Sequence, residues 1–268
     1  MRRMSNDRGS DGPMVTARGL KKSYRLHAMK VPVLRGVDVS VTRGEFVAIM
    51  GPSGCGKTTL LNCLSGLDES DEGTIMLDGK DLATMGDRAR TRFRAEKMGF
   101  VFQAFNLIPV LTAVQNVEMP LLLRGASRAE ARDRALEALA QVGLSDRADH
   151  KPTELSGGQQ QRVAIARALV NKPAVIWADE PTGNLDQEAT EAVLDLLRGL
   201  NRHQGVTLVV VTHDTDVAKA AHRIVRMRDG RIVDGRSVAE AAPTVPAPSP
   251  TNGHKKARVV PPAKVTFR

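Results

Sequence analysis

The apolar run Phe46-Val47-Ala48-Ile49-Met50 leads directly into Gly51-Pro52-Ser53-Gly54-Cys55-Gly56-Lys57-Thr58. The run predicts a strand buried on both faces. The stretch after it fits G-x-x-x-x-G-K-[ST], which closes around phosphate only between a strand and a helix. Glycines let the backbone approach the anion. Successive N–H groups and the positive end of the next helix then face it. Lys57 is placed to reach the terminal phosphates, and Thr58, with Thr59 beside it, opens the helix. An ordinary Gly-rich turn is the alternative, and the strand before the loop argues against it. Cys55 reads as a small filler inside the loop.

The rest of the chain agrees with an α/β fold. Val175-Ile176-Trp177-Ala178 and Val206-Thr207-Leu208-Val209-Val210-Val211 are further strand candidates for a covered parallel sheet. Asp78-Gly79 and Asp229-Gly230 predict tight hairpin turns. From about 104 to 170 the pattern is mostly helical. Ser127-Arg128-Ala129-Glu130 fits a capping box, followed by an apolar stripe at Ala135, Leu136, Leu139 and Val142 and a stop at Gly143. Another helix is expected to start near Gln159 and to end near Asn171, before Pro173.

Residues 1–13 are polar, and residues 236–268 are rich in Pro and Ala with a basic cluster at Lys255-Lys256-Ala257-Arg258. Both are expected to be disordered tails. Residues 236–268 hold six Lys/Arg against one Glu, so much of the formal charge of +9 lies in a tail. That weakens a nucleic-acid reading of the charge, leaving tethering to anionic lipid or a partner as the alternative to a solvated tail. No apolar run approaches the roughly 20 residues that span a bilayer. No signal peptide is expected at the start, and Cys55 and Cys63 form no disulfide framework, so cytoplasmic residence is the simplest reading.

Two acids, Asp179 and Glu180, follow the strand at 175–178, where open α/β sheets bind ligands. His213 closes the strand at 206–211 in the same way. Alone, it would more often be structural. Tyr24 is the single tyrosine of a chain with 3% aromatic residues. By itself it reads as an ordinary half-buried strand residue. Leu155-Ser156-Gly157-Gly158-Gln159 precedes a helix whose positive end is offered to an anion. Asp186, in Gly183-Asn184-Leu185-Asp186, is placed to cap a further helix.

Taken in order, Tyr24, Gly51–Thr58, Gln103, Leu155–Gln159, Asp179–Glu180 and His213 resemble the motif set of the ATP-binding cassette (ABC) ATPases. The resemblance covers about residues 14 to 235, with the expected residue type at each catalytic position. It implies a P-loop NTPase core with a mixed, mainly parallel sheet, an antiparallel β-subdomain and a helical subdomain at about 104–170 carrying the signature motif. It implies ATP and Mg2+ as ligands, with Thr58, Asp179 and Gln103 at the metal. Glu180 would polarise the attacking water, and His213 would contact it and the γ-phosphate. Tyr24 would stack on adenine. Ser156, Gly157, Gly158, Gln159 and Asp186 would serve the site of a second copy in a homodimer.

Four further segments are similar to the macrolide-exporter, lipoprotein-release and FtsE-type group. They are Leu61–Asp68, Phe105–Pro109, Asn116–Leu121 and Pro181–Asp186. This implies an integral membrane permease as partner and a place on the cytoplasmic face of the inner membrane. The work done would be export or extraction, or else regulation of cell-wall hydrolysis without a transported substrate. A soluble ABC ATPase acting on nucleic acid or ribosomes is a third class. No room for a long coiled-coil insertion between Lys57 and Asp179, and no second cassette, argue against it.

Overall fold

In the computed structural model, residues 12–27 and 29–234 are described. The expected tails lie outside them, apart from Gly12 and Pro13. Pro13 is already the first residue of a strand, so the folded part begins one residue before the expected limit.

The three apolar runs form strands β3 (Phe46–Met50), β7 (Val175–Asp179) and β8 (Thr207–Thr212). With β6 (Met98–Phe102) and β9 (Arg223–Arg228) they make a parallel set, and β10 (Arg231–Asp234) adds one antiparallel edge. The order is β10-β9-β3-β8-β7-β6. Burial on both faces explains why these strands read as unbroken apolar runs. Val47, Ile49, Trp177, Val209 and Val211 point to one core, and Ala48, Met50, Ile176, Leu208 and Val210 to another. Alternation along each strand thus serves two layers at once.

The first core is roofed by helix α1 (Lys57–Leu64) and a separate antiparallel sheet. That sheet has the order β2-β1-β4-β5, from β1 (Pro13–Leu26), β2 (Met29–Thr42), β4 (Glu72–Leu77) and β5 (Lys80–Asp81). Asp78-Gly79 and Asp229-Gly230 make the expected hairpins between β4 and β5 and between β9 and β10. Helix α2 (Asp87–Lys97) precedes β6 and buries only Phe93.

The second core is covered by α3 (Ala113–Leu123), α4 (Arg128–Gln141), α5 (Gly157–Leu169) and α6 (Gln187–Gln204), with short α7 (Thr215–Lys219) at one end. Two local expectations need correction. Ser127 does cap α4, accepting from Glu130 N at 3.2 Å. The Glu130 carboxylate, however, pairs with Arg134 at 3.3 Å, because an i,i+4 partner competes with the cap for it. Helix α5 starts at Gly157, two residues earlier than expected, because Ser156 is its cap.

Candidate functional site

The parallel strands all end at one edge, and the residues singled out in the sequence gather there. The loop after β3 needs Gly51, since a Cβ there would lie 2.3 Å from the Met227 carbonyl oxygen on β9. Gly56 caps α1 at φ 101°, in the left-handed region. Lys57 is buried, and its Nζ donates to the carbonyls of Gly51 at 2.9 Å and Pro52 at 3.1 Å. Its ammonium is thereby drawn across the loop, while Pro52, Ser53, Gly54 and Thr58 remain exposed. The first turn of α1 holds no acidic residue to neutralise its positive end. Cys55 is buried and free, as a filler should be.

Thr58 Oγ1 donates to Asp179 Oδ1 at 3.1 Å, joining the loop to the end of β7. Burial pushes the Asp179 carboxyl above its ordinary value, and the Glu180 charge adds to this. The Thr58 hydrogen bond and the Lys57 charge offset only part of it. A hydroxyl and an under-compensated carboxylate are hard oxygen donors, which fit a small divalent cation shared with phosphates.

Glu180 adopts φ 47°, unusual for a residue with a side chain. Its N–H donates to the Val211 carbonyl at 2.9 Å. Its Oε1 lies 2.9 Å from His213 Nδ1, and its Oε2 accepts from His213 N at 3.4 Å. An ionised carboxylate can only accept, so Nδ1 carries the proton in that pair. Glu180 is mostly buried while His213 is 70% exposed. Beside them opens a cleft of about 780 Å3 lined by Thr182, Leu185, Thr190, Glu191 and Asp214.

Gln103 follows β6, where Phe102 pairs with Asp179 across the sheet. Its Nε2 donates to Asn184 Oδ1 at 3.1 Å, and Asn184 Nδ2 donates to the Gln103 carbonyl at 3.0 Å. These bonds use the Gln103 amide nitrogen and backbone carbonyl; the side-chain Oε1 is the atom that could ligate a cation. Ser156 caps α5 in a full capping box: its Oγ accepts from Gln159 N at 3.3 Å, and Gln159 Oε1 accepts from Ser156 N at 3.0 Å. Asp186 caps α6, accepting from Ala189 N at 2.8 Å. The two helix starts touch. A Cβ on Gly158 would lie 2.8 Å from the Cβ of Ala189, and one on Gly157 would lie 3.6 Å from Leu185. Ser156 itself is exposed.

Tyr24 is 41% exposed on β1. Its hydroxyl donates to Asp68 Oδ2 at 2.7 Å and also meets Thr59 on α1, so the ring stands beside the phosphate-loop helix. The Lys22 ammonium lies 5.1 Å from the ring centroid and is anchored to Asp68 Oδ1 at 2.7 Å.

Several residues around the site carried no role in the sequence reading. Asp68 orients Tyr24. Asn116 is buried and holds the turn before α3 through Ile108 N at 2.7 Å and the carbonyls of Ile108, Leu111 and Thr112. Arg167 donates to the carbonyls of Phe105, at 2.8 Å, and Asn106, both left-handed residues just after Gln103. Gln161 shares the apolar face of α5 with Ala164, Ile165 and Ala168. A polar residue on such a stripe is the signal that would have found it.

The fold and the sequence were compared with known proteins. The sequence profile of the ABC transporter family matches residues 34–183. The chain is 51% identical over 220 residues to the ABC transporter ATP-binding protein YvrO of Bacillus subtilis, covering 82% of this chain and 96% of YvrO. It is 48% identical over 244 residues to the macrolide export ATP-binding/permease protein MacB of Syntrophobacter fumaroxidans, covering 88% of this chain but 34% of that protein. Among solved structures, the dimeric post-hydrolysis cassette MJ0796 of Methanocaldococcus jannaschii, bound to ADP and Pi, superposes with a TM-score of 0.78 at 47% identity. That match covers 84% of this chain and 99% of MJ0796. The chain belongs to the ABC transporter family, as an ATP-binding cassette with ATPase activity.

Proposed function

We infer that the chain is the ATP-hydrolysing subunit of an exporter or extraction machine whose permease is a separate membrane protein. The observation that carries the reading is the double pairing at one sheet edge: Thr58 with Asp179 at 3.1 Å, and Glu180 with His213 at 2.9 Å. The cassette runs over residues 14–235, with a helical subdomain at about 104–170. It acts on the cytoplasmic face of the inner membrane. Among the described residues, no helix is long and apolar enough to cross a membrane.

Lys57 and the backbone of Gly51, Pro52, Ser53, Gly54, Cys55 and Gly56 bind the ATP phosphates, with Thr58 and Thr59 at the helix start. Tyr24 supports the adenine. Thr58, Asp179 and the Gln103 side-chain oxygen would hold Mg2+, which would supply charge neutralisation at the phosphates when bound. Glu180 orients and deprotonates the attacking water. His213 keeps the Glu180 carboxylate in place and lies beside the γ-phosphate. Two copies pair head to tail, each offering Ser156, Gly157, Gly158, Gln159 and Asp186 to the other's nucleotide. The dimeric state of MJ0796 supports this assembly.

A groove of about 400 Å3 follows Gln103, lined by Phe100, Phe102, Pro120 and Leu123 with Arg94 and Arg167 at its rim. Leu123 is 80% exposed. Its place between β6 and α3 suits a permease segment that feels ATP through Gln103. MacB joins an ATP-binding part and a permease in one chain, which supports a permease partner here.

The test is Glu180→Gln, assayed by phosphate release and by sizing with Mg-ATP. Turnover is expected to fall by 100-fold or more on the scale of a lost catalytic base (~10²–10⁴). ATP should still bind, and a dimer should accumulate. A monomeric variant with full turnover would overturn both the base and the assembly.

A further inference from the structure

Gln161 is fully buried on α5, yet its Oε1 has no hydrogen-bond partner. Its Nε2 donates to the Pro181 carbonyl, and the Phe102 carbonyl lies 3.4 Å from the same nitrogen. The amide cannot be turned over, since Oε1 would then face two carbonyl oxygens, acceptor against acceptor. The fold tolerates an orphaned buried oxygen so that a donor can reach these two carbonyls.

Both carbonyls flank residues of the site. Pro181 follows Glu180, and Phe102 precedes Gln103. Glu180 holds φ 47°, a conformation that survives only where its surroundings over-determine it. A proline after it narrows its backbone further. Its N–H is held by Val211 and its carbonyl accepts from Gly183 N at 3.1 Å. The next peptide is the one that Gln161 holds.

The geometry points to Gln161 as a positioning residue that fixes the left-handed backbone at Glu180 and so aims its carboxylate. The inference rests on Glu180 being the base. Gln161 also sits little more than one turn past Ser156 on the same helix, so a tilt of α5 reaches the Glu180–Pro181 segment through one amide.

The experiment compares Gln161→Met, Gln161→Glu and Glu180→Gln in the full chain. Gln161→Met keeps the length and loses the donor. Its kcat is expected to fall by about 10- to 100-fold, the scale of a misplaced reacting group, with KM for ATP unchanged. Gln161→Glu faces both carbonyls as a carboxylate but donates to Pro181 when protonated. The ratio of its kcat to that of the natural chain should therefore rise as pH falls. With kcat taken per folded protein at each pH, which removes the cost of burying a charge, a residue that only fills space would give a flat ratio. Wild-type kcat in Gln161→Met with an inactive Glu180→Gln would overturn the role of Gln161 and leave Glu180 as the base. Full turnover in Glu180→Gln would instead remove the base reading. Should Gln161→Met lose its cooperative unfolding transition, the pH ratio of Gln161→Glu decides, and a flat ratio overturns the inference.

Discussion

The contact between Gly158 and Ala189 separates what the signature glycine does within one chain from what it offers a second copy. In Gly158→Ala the new Cβ would lie 2.8 Å from the Cβ of Ala189, whereas carbon atoms rest at about 3.5–4.0 Å. The start of α5 must move off α6 by several tenths of an ångström or remain strained. Overpacking of this kind costs about 1–3 kcal/mol. Helix propensity works against it, since alanine is favoured over glycine by about 1 kcal/mol. The net loss is then about 0–2 kcal/mol, a fall in Tm of at most about 8 °C for a domain of this size. A double-mutant cycle with Ala189→Gly removes the propensity contribution, which appears equally with either partner. The coupling left over should be about 1–3 kcal/mol. Urea unfolding of the four proteins measures it, and phosphate release is assayed on the same samples. If Gly158 also faces a second copy's nucleotide, the double variant regains stability but not turnover. A coupling below about 0.5 kcal/mol would refute the packing argument. Full recovery of turnover in the double variant would refute the role in trans.

Three further outcomes are expected. Tyr24→Ala should raise KM for ATP by about 5- to 150-fold, the equivalent of losing ~1–3 kcal/mol of stacking, whereas Tyr24→Phe, which keeps the ring and loses only the hydroxyl's contacts with Asp68 and Thr59, should stay within about threefold by ATP titration. Asp179→Asn should raise Tm at pH 7 while abolishing turnover. An acid whose folded pKa is raised opposes folding increasingly as pH climbs past its unfolded value, so the gain should vanish below about pH 4 in a thermal scan. Burial works to raise the Asp78 carboxyl, but hydrogen bonds and charge from Arg43 and Lys97 outweigh it and hold it below the ordinary value. Its contribution to stability is therefore present above about pH 4 and lost as pH falls through the folded pKa. Asp78→Asn should lower stability at pH 7 and flatten the acid side of the stability curve, as read by denaturant unfolding.

The central strands were legible because burial on both faces leaves an unbroken apolar signature at Phe46–Met50 and Val175–Ala178. The place of Asp179 and Glu180 at the end of β7 was legible because the apolar run stops there. Strands β1 and β2 were not, since their 14-residue lengths are broken by register shifts near Leu20 that disrupt the alternation. Helix α2 buries one residue and so shows no stripe. The run Gln159-Gln160-Gln161 shows the limit most clearly. Gln159 accepts from Ser156 N, Gln160 donates to Leu155 O, and Gln161 reaches Pro181. Three identical letters do three jobs, and only the path of a distant loop tells them apart. The exchange between Gln103 and Asn184 was hidden for the same reason.

The cap on α5 gives Ser156 a direction. A hydroxyl has one proton and two lone pairs, and one lone pair is already committed to Gln159 N. Its proton remains to be given away, so in the proposed pair Ser156 meets the opposite phosphate as a donor in a rotamer set beforehand. The freedom lost in fixing that rotamer is lost when α5 folds, not when two copies meet. Closure therefore carries no further ordering cost at this side chain.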